Sequence, residues 1–244
     1  MLNASQRQQL DEQGYLLLPA HLPNANIASL LARLEELWAS EGDEAGAENY
    51  IEHGVRRLAN LANKGGLFRP IYADPLVLAA IAAVIGPDVR ASMVNARDVP
   101  PHTGSRLPFH MDSDGGRHRD AIGYNAATAI WMLDPFTVEN GATAFVPGSH
   151  LLGKSPKELM ADIQATHPGE IIITGQPGDV LVFNGHGWHA GRPNQTGGHR
   201  RALLIHYLRA DVPRPANRRQ HLDPANAAAL TARERTLLGL DDPA

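Results

Sequence analysis

Cysteine is absent from all 244 residues, which removes disulfides, zinc–thiolate sites, iron–sulfur clusters and thiol nucleophiles from consideration. Any metal must therefore be held by His, Asp or Glu. A basic excess is missing too: 22 Lys and Arg stand against 26 Asp and Glu, for a formal net charge of -4. With the two signs mixed along most of the chain, there is no cationic field for nucleic acid or an anionic membrane. The expected partner is a small molecule, with monomer and homodimer both open. The longest apolar stretch, 75–86, is too short to span a bilayer, and the opening residues MLNASQRQQLDEQGY lack the basic start and apolar run of a signal peptide. The chain reads as soluble and cytoplasmic.

What is present divides into a helical first part and a β-rich remainder. Ser5 is placed to cap a short helix ending near Gly14, and Tyr15 to Pro19 reads as a buried strand. Between 26 and 40, Ile27, Leu30, Leu31, Leu34 and Leu37 recur at helical spacing, which predicts a helix with one apolar stripe laid on a sheet. The acidic, small-residue stretch 41–48 reads as a loop. Asp74 and Pro75 supply an N-cap and first-turn proline for a helix that stops at Gly86. Beyond it, strands are expected at 89–95, 126–133, 142–146, 170–174, 179–184 and 201–208, interrupted by one clear helix that begins at the capping box Ser155-Pro156-Lys157-Glu158. This is a mainly β, α+β pattern of one unit: 1–88 mostly helical support, 89–210 the β-core, 211–244 a helical tail.

The chemistry lies in where the histidines stand, since most of the twelve belong on the surface or in the core. His110 and Asp112 are two residues apart, so an extended strand would aim both at one face. An H-x-D triplet alone is weak evidence and needs a third ligand. The segment 177–189 runs a strand into a glycine-rich turn bearing His186 and His189. Two His and one carboxylate form the facial set that leaves positions open on a non-heme iron. The same three residues also suit a zinc hydrolase, and a non-catalytic small-molecule-binding barrel is the other alternative.

Several segments together resemble the phytanoyl-CoA dioxygenase-like (PhyH) family of iron(II)- and 2-oxoglutarate-dependent oxygenases. They are FHMD at 109–112, ENGATAFVPGSH at 139–150, GDVLVFNGHGWHAG at 178–191, and Arg200 eleven residues after His189; the early GYLLLP is family-like as well. VRRLANLANKGGLFRP at 55–70 is more similar to members that tailor natural products than to the acyl-CoA enzyme. The resemblance implies a double-stranded β-helix (jelly-roll, cupin-like) core braced by the N-terminal helices. It implies Fe(II) held by His110, Asp112 and His189, with 2-oxoglutarate and O2 as co-substrates, and it favours His189 over His186 because Trp188 precedes it and Arg200 follows at family spacing.

The resemblance further implies that Arg200 anchors the distal carboxylate of oxoglutarate, a role suited to a guanidinium fork. Asn95, Thr143 and Arg57 are candidate co-substrate contacts. Where the family often carries a serine two residues after the distal His, this chain has Gly191, and Thr143 is the expected substitute. Trp131, Arg117 and His186 are candidates for the substrate pocket, with core packing the plainer role for Trp131 and a polar turn role for His186. His150 is assigned to turn packing, and His206 either faces the barrel interior or takes the plainer role of a satisfied core histidine. Family halogenases replace the carboxylate ligand with a small residue, so Asp112 implies hydroxylation of a small organic molecule. The stretch 113–125 is expected either as a lid or as a solvated loop.

Overall fold

The computed structural model describes residues 1–49, 51–113, 119–213 and 222–241. Its first helix, α1 (Ala4–Gln13), starts one residue before the expected cap. Asn3 rather than Ser5 accepts the amide of Gln6, and the Gln6 side chain accepts the Asn3 amide in return. Gly14 closes it in the left-handed region at φ 79. A side chain is excluded there sterically as well, since a Cβ would stand 2.5 Å from the His150 ring. β1 (Tyr15–Leu18) follows, then α2 (Asn24–Glu41), whose buried residues Ile27, Leu30, Leu34 and Leu37 form the expected stripe, joined by Trp38. β2 (Arg56–Leu58), α3 (Arg69–Tyr72) and α4 (Pro75–Ile85) complete the first part, with Asp74 accepting the Leu76 and Val77 amides at the start of α4.

The later strands are β3 (Val89–Val99), β4 (Ala126–Met132), β5 (Thr143–Phe145), β6 (Ile171–Ile173), β7 (Val180–Asn184), β8 (His189–Ala190) and β9 (Arg200–Arg209). α5 (Pro156–Leu159) is a single turn held by the Glu158 carboxylate, which accepts from the Ser155 amide and hydroxyl. α6 (Pro224–Ala228) and α7 (Ala232–Leu238) close the described chain. The strands form a six-stranded sheet ordered β1-β7-β4-β9-β3-β2 and a three-stranded sheet ordered β6-β5-β8, every pairing antiparallel. The sheets are not closed into a barrel.

Side-chain alternation explains why the central strands read as continuous apolar runs. Along β7, Val180 and Val182 join the core beneath the helices, while Leu181 and Phe183 join a second core containing Phe145 and Ile173 of the smaller sheet. Both faces are covered, so all five residues of the strand are buried. β4 does the same: Ala127, Ala129 and Trp131 face the helical layer, and Ile130 and Met132 face the other sheet. Burial of this much aliphatic surface, at roughly 25 cal/mol per Å2, is the principal force holding the layers together. Among the described residues no single helix is long and apolar enough to cross a membrane.

One expectation about the metal segment is corrected. Residues 103–109 and 111–112 lie in no strand; His110 alone forms an isolated bridge with His189, each donating its amide to the other's carbonyl at 3.0 and 3.1 Å. The motif lies beside the three-stranded sheet instead of within a strand of the large one. Asp112 and Ser113 are then fixed by donating their amides to the Gly185 carbonyl.

Candidate active site

His110, Asp112 and His189 converge so that one ligand atom from each lies within 4.8 Å of the others. The Nε2 atoms of His110 and His189 stand 3.9 and 3.5 Å from Asp112 Oδ1. Each imidazole is oriented by a local backbone contact: His110 Nδ1 donates to the Pro108 carbonyl at 2.9 Å and His189 Nδ1 to the Gly187 carbonyl at 3.0 Å. That fixes the tautomer and leaves both Nε2 lone pairs aimed inward, as metal-binding histidines require. Asp112 is held from behind, its Oδ2 accepting from the Thr128 hydroxyl at 2.7 Å and its carbonyl accepting from His206 Nε2 at 3.0 Å.

The electrostatics suit a cation. Burial opposes the charge on Asp112, but His189, His206 and His110 outweigh it and hold the carboxyl well below the usual range. Burial, reinforced by His189, pushes His110 down. For His189 burial acts the same way, yet Asp112 overcomes it and raises the imidazole. An ionised carboxylate and imidazoles with free lone pairs on one side of a cleft are the donor chemistry of a 2-His-1-carboxylate iron site. The residues present fit the metal that the sequence implies.

The donors open into a cavity of about 490 Å3 lined from both sheets. β9 sends Arg200, Ala202, Leu204 and His206 into it at every second position, β3 sends Met93, Asn95 and Arg97, and β4 sends Thr128 and Ile130. Arg200 is buried at 4% exposure, its Nε has no hydrogen-bond partner, and its guanidinium lies 4.7 Å from the Phe136 ring centre. Burial and neighbouring Arg97 push it down to about 9. A buried guanidinium with an unmet donor, in the cavity that holds the metal donors, fits the far carboxylate of oxoglutarate.

Asn95, Thr143 and Arg57 all line the same cavity; Arg57 Nη1 donates to Glu52 at 2.7 Å. The three pocket candidates fare differently. Trp131 is 1% exposed and faces the helical layer beside His21, because its neighbour Ile130 takes the cavity side of β4. His186 is also off the cavity wall: Nε2 donates to Asn125 Oδ1 at 2.9 Å and the ring packs on Tyr124. Arg117, with the rest of 114–118 of the expected lid, lies outside the described residues. His206, with a core and an interior-facing position both open, is buried and lines the cavity. Thr128 and Arg97 are additions that the sequence reading did not single out. Arg97 shares the face of Asn95 two residues away, and that spacing was the available signal.

Comparison with known proteins agrees with this geometry. Residues 10–202 match the sequence profile of the family described as phytanoyl-CoA dioxygenase (PhyH). The dioxygenase lolE1 of Epichloe uncinata is 30% identical over 250 residues, covering 91% of this chain and 91% of that protein. The dioxygenase af480 of Aspergillus fumigatus is 27% identical over 213 residues, covering 84% of this chain and 66% of that protein. The fold is shared with the non-heme alpha ketoglutarate dependent carbocyclase SnoK from nogalamycin biosynthesis, at a TM-score of 0.69 and 21% identity over 88% of this chain and 87% of that one. The chain belongs to the phytanoyl-CoA dioxygenase (PhyH) family, and it is an oxygenase of the iron(II)- and 2-oxoglutarate-dependent class.

Proposed function

We propose that this oxygenase hydroxylates a small organic molecule in natural-product tailoring, with His110, Asp112 and His189 as the iron ligands and Arg200 as the oxoglutarate anchor. The observation that carries the reading is the presence, in one cavity, of three convergent donors and a buried guanidinium with an unmet donor. A zinc hydrolase would use the donors but has no role for Arg200. With iron(II), 2-oxoglutarate and dioxygen bound, the site supplies an oxidant able to hydroxylate a C–H bond while oxoglutarate leaves as succinate and carbon dioxide.

The chain's own residues set the geometry for that chemistry. The Pro108 and Gly187 carbonyls orient the two imidazoles, and Thr128 fixes the carboxylate, so the ligand set is preorganised. Arg200 holds the far end of the co-substrate and so sets the pose of its reactive end. Thr143 on β5 supplies the hydroxyl contact that Gly191 cannot make, and Asn95 contributes a carboxamide from the opposite wall. Asp112 would hold the metal at a position that a halide would otherwise need, which favours hydroxylation over halogenation.

The first test is anaerobic. Iron(II) with 2-oxoglutarate should give a weak visible charge-transfer band in the native protein and none in His110→Ala. Absence of the band in the native protein, with tight zinc binding and oxygen-independent hydrolysis, is the outcome that sinks the reading.

A further inference from the structure

We propose that the substrate is a small carboxylate with an apolar body, and that Arg97 receives its carboxylate; this rests on the oxygenase reading above. Arg97 lies on the cavity wall between Asn95 and the end of β3. Its Nε donates to Glu52 Oε2 at 2.9 Å and its Nη2 donates to Glu52 Oε1, so one carboxylate occupies the side-on fork of the guanidinium. A guanidinium has five N–H bonds, and the end-on fork formed by Nη1 with the second hydrogen of Nη2 is separate from the side-on one. No hydrogen bond from Nη1 to a described residue is formed. The side-on contact therefore fixes Arg97 rigidly while leaving a second, parallel pair of donors for another carboxylate.

Charge balance points the same way. Iron(II) and Arg200 together carry the charge that Asp112 and the two carboxylates of oxoglutarate neutralise, so that half of the cavity is complete without Arg97. On the other side, Glu52 is shared between Arg57 and Arg97. Arg97 therefore has only part of one carboxylate against its charge, in a cavity where that charge is poorly screened. A monoanionic substrate offsets the rest. Met93, Leu107, Met111, Ile130 and Leu204 give the cavity an apolar share of wall alongside its polar groups, so the ligand that fits is amphipathic and carries its one charge at the Arg97 end. Gly191 keeps that end open: an added Cβ there would stand 3.0 Å from Leu107 and 3.8 Å from Arg97 Nη2.

The test is a calorimetric titration with paired probes: straight-chain monocarboxylates from butanoate to decanoate, phenylacetate and 3-phenylpropanoate, each against its primary amide. The protein is held anaerobically with iron(II) and saturating 2-oxoglutarate. At least one acid should bind tenfold or more tightly than its amide. Arg97→Leu should abolish that preference and Arg97→Lys should retain part of it, while the oxoglutarate midpoint, read from the charge-transfer band, moves less than threefold in both. The proposal is overturned if no acid outbinds its amide in the native protein. It is equally overturned if Arg97→Leu leaves the preference intact, or if that variant weakens oxoglutarate tenfold, which would assign Arg97 to the co-substrate. Because the acid–amide comparison on native protein needs no variant, misfolding of Arg97→Leu does not remove the test. If the native protein forms no band, the oxygenase reading fails by itself; the comparison is then repeated without metal, where a lost preference overturns the carboxylate site and a retained one upholds it.

Discussion

The Thr128 hydroxyl donates to Asp112 Oδ2 at 2.7 Å, leaving Oδ1 to face both imidazoles. One strand residue thereby decides which carboxylate oxygen would be offered to the proposed metal. Outer hydrogen bonds of this kind typically account for about 10–100-fold in metal affinity. Thr128→Val keeps the shape of the side chain and removes the donor. Metal affinity, measured by cobalt(II) or iron(II) titration without oxygen, should fall about tenfold, with little change in the thermal midpoint. An unchanged affinity would show that Asp112 is held by its backbone contacts to Gly185 and His206 alone.

Thr128 also marks the limit of what the sequence discloses. The proposed metal donors are legible because H-x-D and a glycine-rich turn with histidines are local patterns, and the supporting helices are legible from caps such as Asp74-Pro75 and from the Leu30–Leu34–Leu37 stripe. Thr128 and Arg97 are single polar residues in strands, and their importance arises from register. Thr128 lies opposite His206 and Phe183, and Arg97 opposite Ala202 and Arg57, pairings between segments up to 105 positions apart in the chain. Because shifting a strand by one residue exchanges its faces, no local pattern states which residues reach the cavity. Register likewise decides between the two roles open to Trp131: it takes the core side of β4, and its neighbour Ile130 has the cavity side.

Glu52 gives a pH-dependent prediction. Burial pushes its carboxyl up, but Arg97 and Arg57 outweigh that and hold it at about 2, below the ordinary 4.5. A depressed carboxylate stabilises the fold above its unfolded value, and the contribution is lost as pH falls from about 4.5 toward 2. In Glu52→Gln, the urea midpoint should drop at pH 7, by a stability of order 2 kcal/mol. The gap from the native protein should narrow steadily below pH 4.5. A gap that stays constant down to pH 2.5 would mean that the arginines do not discriminate between the charged and neutral groups.

The turn that delivers His189 is sterically tight. A Cβ at Gly187 would stand 2.5 Å from Phe145 Cζ, and Phe145 is fully buried between Tyr15 and Phe183 with no room to yield. Gly187→Ala should cost about 1–3 kcal/mol of stability by overpacking, and weaken metal binding because the Gly187 carbonyl orients His189. Gly197, where an added Cβ meets nothing within 4 Å, provides the control. Gly197→Ala should change the chemical-denaturation free energy by less than about 0.5 kcal/mol, and equal effects at both positions would count against the steric account.

The two turn histidines, three residues apart, separate on geometry. His189 sends Nε2 toward Asp112, whereas His186 Nε2 donates to Asn125 Oδ1 and its ring packs against Tyr124, and His186 does not line the cavity. Of the two, His189 is the proposed ligand. His189→Ala should abolish the anaerobic iron(II)–oxoglutarate band, while His186→Asn should retain the band with its midpoint in iron within threefold of native. Because His186 is buried and hydrogen-bonded at 3% exposure, its loss should appear instead as lower stability, by about 1–3 kcal/mol, from an unpaired buried amide. A band that disappears in His186→Asn but persists in His189→Ala would reverse the assignment of the distal ligand, and with it the spacing that pairs that ligand with Arg200.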